Sequence, residues 1–262
     1  MRKQLNGYVV YDQDLWLYQY FEIPAFCPQD VRNFLAETPE GEDIVLEINS
    51  FGGSVYAGFE MYSILRSAER RTVAEVQSIA ASAASVVMLG CQKVTASPVA
   101  QVMIHLPLTE TDGNRYDHQE SIGVLDSITE SILNAYTMKC GSLSTRGELK
   151  SLMRTSTWLT APEAKALGLV DWIIGEESID PAAILNCAGG VCHGIRSMSA
   201  GPMPDAAALK ERYAKLVAAG KAEPRNGIGE PRYVTAHFPE EQNCPDLLEE
   251  ARARLELEKI RF

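Results

Sequence analysis

Gln77–Gly90 reads QSIAASAASVVMLG: a run of small and apolar residues in which a strand hands over to an apolar helix, with one hydroxyl, Ser82, between alanines at the junction. A serine there is placed to act as a nucleophile. Its hydroxyl is weak at its free pKa, so chemistry also needs a nearby base and backbone N–H groups aimed at the developing oxyanion. Two further stretches offer them. His105 lies in VMIHLP, directly after a second apolar strand, and Gly52 and Gly53 lie in INSFGGSV at the end of a third. Each feature alone is ordinary: small residues let helices pack closely, glycine pairs make turns, and a histidine on an apolar strand commonly belongs to the core. Together they outline a site for a nucleophilic serine.

Around these stretches the chain alternates strand and helix patterns. Strands are expected at Tyr8–Tyr11, Ile44–Asn49, Thr72–Val76, Lys93–Ala96 and Gln101–Ile104, and helices at Pro28–Glu37 and Ala57–Ser67, where Phe59, Tyr62 and Leu65 recur at helical spacing. This alternation predicts an α/β fold of βαβ units around a largely parallel sheet. After His105, Asp112 and Gly113 mark a loop. Tyr116–Cys140 then reads as one long amphipathic helix with Ile122, Leu125, Ile128 and Ile132 along a face. Thr160 and Glu163 form a capping-box pattern with Pro162 in the first turn and Gly168 past the helix end.

Four blocks in this order, INSFGGSV (Ile48–Val55), AASAAS (Ala80–Ser85), VMIHLP (Val102–Pro107) and TWLTAPEAKALGLVD (Thr157–Asp171), resemble the Clp protease proteolytic subunit family (ClpP), and especially its phage prohead protease relatives. The resemblance covers about the first two thirds of the chain. It implies a ClpP/crotonase-like fold of stacked ββα units, with Ser82 as nucleophile, His105 as general base, and the N–H groups of Gly53 and Ala83 as the oxyanion hole. It implies a protein or peptide substrate, no cofactor and no metal. It also implies a ring-forming homo-oligomer in which the long helix docks one ring on another.

The chain departs from the family at one place. The triad acid should stand shortly before LTAPEA, where ungapped alignment falls on Ser156, and Arg154–Thr157 contains no carboxylate. In a complete triad the acid fixes the histidine tautomer and stabilises the imidazolium, an effect worth about 10⁴ in rate. Three arrangements are open: Ser156 serves as a weaker third member, Asp112 or Asp117 stands in, or the enzyme is nearly inert. Two other functions also remain open. The same fold hosts acyl-CoA hydratases and isomerases, which do not need a Ser–His pair, and a degenerate protease can persist as a structural or scaffold-binding protein.

The 262 residues carry a net charge of −11, which argues against nonspecific nucleic-acid binding. No apolar run reaches the ~20 residues of a membrane span, and Met1–Asn6 lacks a signal-peptide core, so a soluble protein of the cytoplasm (the host's, if phage-encoded) is expected. Six scattered cysteines suggest reduced thiols. Cys187, Cys192 and His193 match no zinc spacing, and His118 and His237 read as solvated surface residues. Residues 1–180 are expected to form the protease domain and 181–262 an extension. Within the extension, Cys187–Pro204 reads as a linker, Asp205–Ala219 as a helix, Gly220–Pro231 as a second linker and Asp246–Phe262 as an exposed helix. The extension suits contact with capsid or scaffold proteins, a removable control segment, or an inert tail. No P-loop is present, so any ATP-driven unfoldase is a separate partner.

Overall fold

In a computed structural model, residues 1–176 and 204–223 are described. They form an α/β fold around an eight-stranded sheet, β1 (Arg2–Val9), β2 (Ala25–Phe26), β3 (Ile44–Gly53), β4 (Thr72–Ala81), β5 (Lys93–Ala96), β6 (Gln101–Ile104), β7 (Thr157–Thr160) and β8 (Trp172–Ile173). All pairings are parallel except β6 with β7. Helices α1 (Leu15–Tyr20), α2 (Pro28–Glu37), α3 (Val55–Arg66), α4 (Ala83–Gly90), α5 (Arg115–Cys140), α6 (Arg146–Arg154), α7 (Ala161–Ala166) and α8 (Ala206–Ala218) complete the described elements.

β4 organises the site because it has two successive neighbours. Val73–Val76 pair with β5, whereas Ile79–Ala81 pair with Gln101–Met103 of β6. A register shift between Ile48 and Ser50 accommodates this change on the β3 side. The result brings the ends of β3, β4 and β6 together, and those ends carry the glycine pair, the serine and the histidine. α4 fits beneath them because its residues are small or apolar on every side: all eight are buried. A helix apolar all round is a core element.

β3 and β4 each run several residues longer than their apolar patterns suggest, up to the site itself. β1 occupies Arg2–Val9 rather than Tyr8–Tyr11. Its sequence, RKQLNGYV, hides the strand because only Leu5 and Val9 face the core. The polar residues are held instead by pairing with β3, and the Arg2 guanidinium donates to Glu47 (2.7 Å) and approaches Glu75 (3.1 Å). α3 begins two residues before the expected Ala57, where the Ser54 hydroxyl accepts from Ala57 N–H as N-cap. The expected capping box forms, with Glu163 accepting from both the N–H and the hydroxyl of Thr160.

α5 matches the expected long helix, but only half of its apolar face is covered. Ile128 and Ile132 are buried, whereas Ile122 is 59% exposed. The expected helix at Asp205–Ala219 is present as α8. Before Tyr213, the first unit (Met1–Arg212) is closed by Lys210 paired with Asp14 (2.7 Å), Tyr18 hydroxyl donating to the Pro204 carbonyl (2.7 Å), and Arg212 over the Phe21 ring. In the second unit, the Tyr213 hydroxyl donates to the Glu223 carbonyl. The expected linker up to residue 203, the second linker beyond residue 223, the helix at Asp246–Phe262 and the boundary at residue 180 lie outside the described residues.

Candidate active site

Ser82 is the single residue between β4 and α4, and its backbone is strained. Its φ of 54° and ψ of −125° fall outside the wells open to an L-residue, a conformation that costs about 1–3 kcal/mol. Such a kink lifts the hydroxyl out of both elements. The Ser82 N–H donates to the Met103 carbonyl of β6 (2.9 Å), which ties the kink to the strand that carries the histidine. His105 follows β6 directly, and its Nε2 lies 2.7 Å from Ser82 Oγ. A serine proton directed at Nε2 requires the tautomer protonated at Nδ1.

Nothing among the described residues on the other side of the ring fixes that tautomer. Among the described residues, Nδ1 of His105 makes no hydrogen bond, and burial alone lowers the pKa of the imidazole. Ser156 stands in the place where a partner would be. The antiparallel register pairs Ile104 with Thr157, and its continuation sets Ser156 opposite His105. Yet Ser156 is exposed, has φ 51°, and its side chain forms no hydrogen bond with His105. Asp112 and Asp117 share a cavity wall with His105 but are spent locally, accepting from Gly113 N–H (2.9 Å) and Asn114 N–H (2.7 Å).

The two glycines meet different neighbours. At Gly53, with φ 149°, a Cβ would run into the Val9 backbone of β1 at its carbonyl oxygen. Strand packing is the constraint. Gly52, at φ 96°, lies against the nucleophile itself: a Cβ would sit 2.7 Å from Ser82 Cβ and 2.9 Å from Ala83 N. Gly52→Ala is therefore expected to cost at least the ~1–3 kcal/mol of a strained backbone and to displace Ser82. Thermal melting and serine labelling should both fall; labelling at the wild-type rate would show that the site absorbs the methyl group.

Gly53, Ser82, Ala83 and His105 line one cavity of about 950 Å³, walled by the Pro107–Asp112 loop and by Ile128 and Ile132 of α5. Ala83 is the first residue of α4, so its N–H has no partner within the helix. The cavity thus offers a hydroxyl, an imidazole in contact with it, and an N–H at a helix start where partial positive charge favours an anion. No cluster of His, Cys, Asp or Glu suited to a metal occurs among the described residues. His118 is exposed, while Cys187, Cys192, His193 and His237 lie outside the described residues.

Known proteins are similar to this chain over the region that carries the site. The model of the Clp protease family matches residues 32–177. A maize ATP-dependent Clp protease proteolytic subunit is 29% identical over 181 residues, covering 64% of this chain and 82% of the maize protein. The subunit of the same description from Porphyromonas gingivalis is 30% identical over 143 residues, covering 54% of this chain and 64% of that protein. One from Bacteroides fragilis is 29% identical over 143 residues, covering 54% and 68%.

Proposed function

The chain belongs to the Clp protease family of serine peptidases, and from that premise we propose that it is a serine endopeptidase in which Ser82 attacks a peptide carbonyl. His105 takes the hydroxyl proton and returns it to the leaving amine, and water then hydrolyses the acyl-enzyme. The N–H groups of Gly53 and Ala83 receive the oxyanion. The observation that carries this reading is the 2.7 Å contact between Ser82 Oγ and His105 Nε2 at the strained strand-to-helix junction. Ser156 occupies the place of the family acid, and to act as a weak, uncharged third member its side chain would have to turn towards His105, with which it makes no hydrogen bond.

We further propose a phage head-maturation role, in which the enzyme processes capsid or scaffold proteins without ATP, in the cytoplasm of a host cell. Support comes from the resemblance of the sequence blocks to prohead proteases, from the extension beyond the family match, which ends at residue 177, and from a site without its acid, suited to a few cleavages per assembly. That match also supports a protease domain of residues 1–180 followed by an extension over 181–262, of which residues 204–212 pack back onto the first unit. A homo-oligomer is supported by the apolar residues that the first half of α5 leaves exposed, Ile122 at 59% and Val124 at 46%. No helix among the described residues is long and apolar enough to cross a membrane.

A second reading, a degradative subunit fed by a separate unfoldase, is favoured by the names of the relatives, all ATP-dependent Clp proteolytic subunits. Incubating the full chain with its capsid and scaffold proteins, without nucleotide, separates the two. Discrete cleavage products support head maturation. No cleavage until an unfoldase and ATP are added supports degradation.

The pH dependence tests the dyad. His105 acts as a base only when neutral, and burial lowers its pKa from 6.5. Labelling of Ser82 by a fluorophosphonate is therefore expected to persist below pH 6.5 and to be lost as pH falls through the lowered value. A half-maximum above about 7 would instead mean a carboxylate partner raises the imidazole pKa.

A further inference from the structure

The strained junction is braced from the long helix. Ser85, in the first turn of α4, is fully buried, and its hydroxyl donates to the Ser82 carbonyl at 2.5 Å, alongside the Ser85 N–H at 2.9 Å. Ser85 has only one hydroxyl proton. The 2.7 Å contact between Ser85 Oγ and the Tyr136 hydroxyl of α5 must therefore be a bond donated by Tyr136. Tyr136 is 1% exposed, and its burial raises its pKa, which keeps the phenol protonated as a donor. The bonds run in one direction, from Tyr136 O–H to Ser85 Oγ and from Ser85 O–H to Ser82 O.

The carbonyl at the end of this relay is one half of a single peptide plane whose other half is the Ala83 N–H. The plane is rigid. Fixing the Ser82 carbonyl by two donors therefore fixes the direction in which the Ala83 N–H points into the cavity. A carbonyl that accepts strong hydrogen bonds also polarises its peptide group and improves the N–H at the far end as a donor. A backbone at φ 54° and ψ −125° relaxes unless its surroundings over-determine it. On the carbonyl side of Ser82, the relay supplies that restraint.

We propose that Ser85 and Tyr136 are positioning residues that hold the Ser82–Ala83 peptide so that the Ala83 N–H meets the oxyanion of the acylation transition state. The proposal rests on Ser82 being the nucleophile. It couples α5 to the efficiency of the site through two hydroxyl groups and no contact with substrate. Oxyanion charge is absent from the bound substrate and develops through the transition state to the tetrahedral intermediate, so the relay acts on kcat and not on substrate binding.

The experiment uses the full chain as wild type, Ser85→Ala, Tyr136→Phe and the double variant, with kcat and KM on a peptide substrate, fluorophosphonate labelling rates, and amide exchange of the 82–86 segment. Ser85→Ala is expected to lower kcat and labelling on the order of tenfold, the size of one hydrogen bond's contribution. KM and the pH midpoint should stay unchanged, because His105 is untouched. Tyr136→Phe should lose a few-fold, as one step of the relay. The double variant should lose no more than Ser85→Ala, since both act through one carbonyl. Exchange should quicken in 82–86. If one variant fails to fold, the other decides. Unchanged kcat and exchange, a loss confined to KM, or additive losses would overturn the proposal. Failure of the wild type itself to label would overturn the activated serine on which the proposal rests, and the exchange data would still decide whether the relay restrains the junction.

Discussion

Ser82→Ala is expected to abolish covalent labelling by a fluorophosphonate completely and to lower peptide hydrolysis on the order of 10²-fold. The modest second number follows from the missing acid. In a complete triad, removing the serine costs about 10⁶ and removing the acid alone about 10⁴, and the losses are not additive. A site that already lacks the acid has only the difference left to lose. The variant should fold, because the Ser82 side chain caps nothing on α4, although alanine inherits the strain of φ 54°. Intact mass after probe treatment is the measurement. Label retained by the variant would place the nucleophile elsewhere. Absence of label on the assembled wild type would mean a degenerate, structural protein or an enzyme awaiting a partner's carboxylate.

The site was legible in the sequence to the extent that it sits at the ends of apolar strands. Ser82, His105 and the glycine pair each stand at the end of a strand with a buried face, and parallel strands of one sheet bring such ends to one edge. What the pattern did not show was backbone conformation. Gly52 and Gly53 look alike as letters, yet one faces Ser82 and the other faces Val9, a distinction set by the φ values at the end of β3. β1 escaped notice because its polar residues lie exposed along the strand and Arg2 is met by Glu47 and Glu75, far along the chain. Ser85 was in view as part of AASAAS, but its partner Tyr136 lies 51 positions away on another helix, and no local periodicity signals that contact.

The largest expected gain comes from restoring the absent charge, by Ser156→Asp. The backbone already suits the change. Ser156 adopts φ 51°, in the region where aspartate and asparagine are the best tolerated residues after glycine. The β6–β7 register directs the position at His105, and the side chain now there has no hydrogen bond to lose with it. A carboxylate accepting Nδ1–H would fix the tautomer that lets Nε2 take the serine proton, and would stabilise the imidazolium formed as Ser82 attacks. The expected result is a rise in labelling and kcat of about 10²-fold or more, against the ~10⁴ such an acid supplies in a complete triad. The pH profile supplies an independent sign. The new charge favours protonated His105 and opposes the lowering by burial, so the acid limb should move to higher pH while the plateau rises. Both shifts together would show that the Ser–His pair is intact and limited only by its missing partner. A higher limb with no gain in rate would show that the carboxylate reaches the imidazole but holds it in an unproductive orientation. With neither shift, residue 156 would be excluded as the third position, leaving the dyad to act alone.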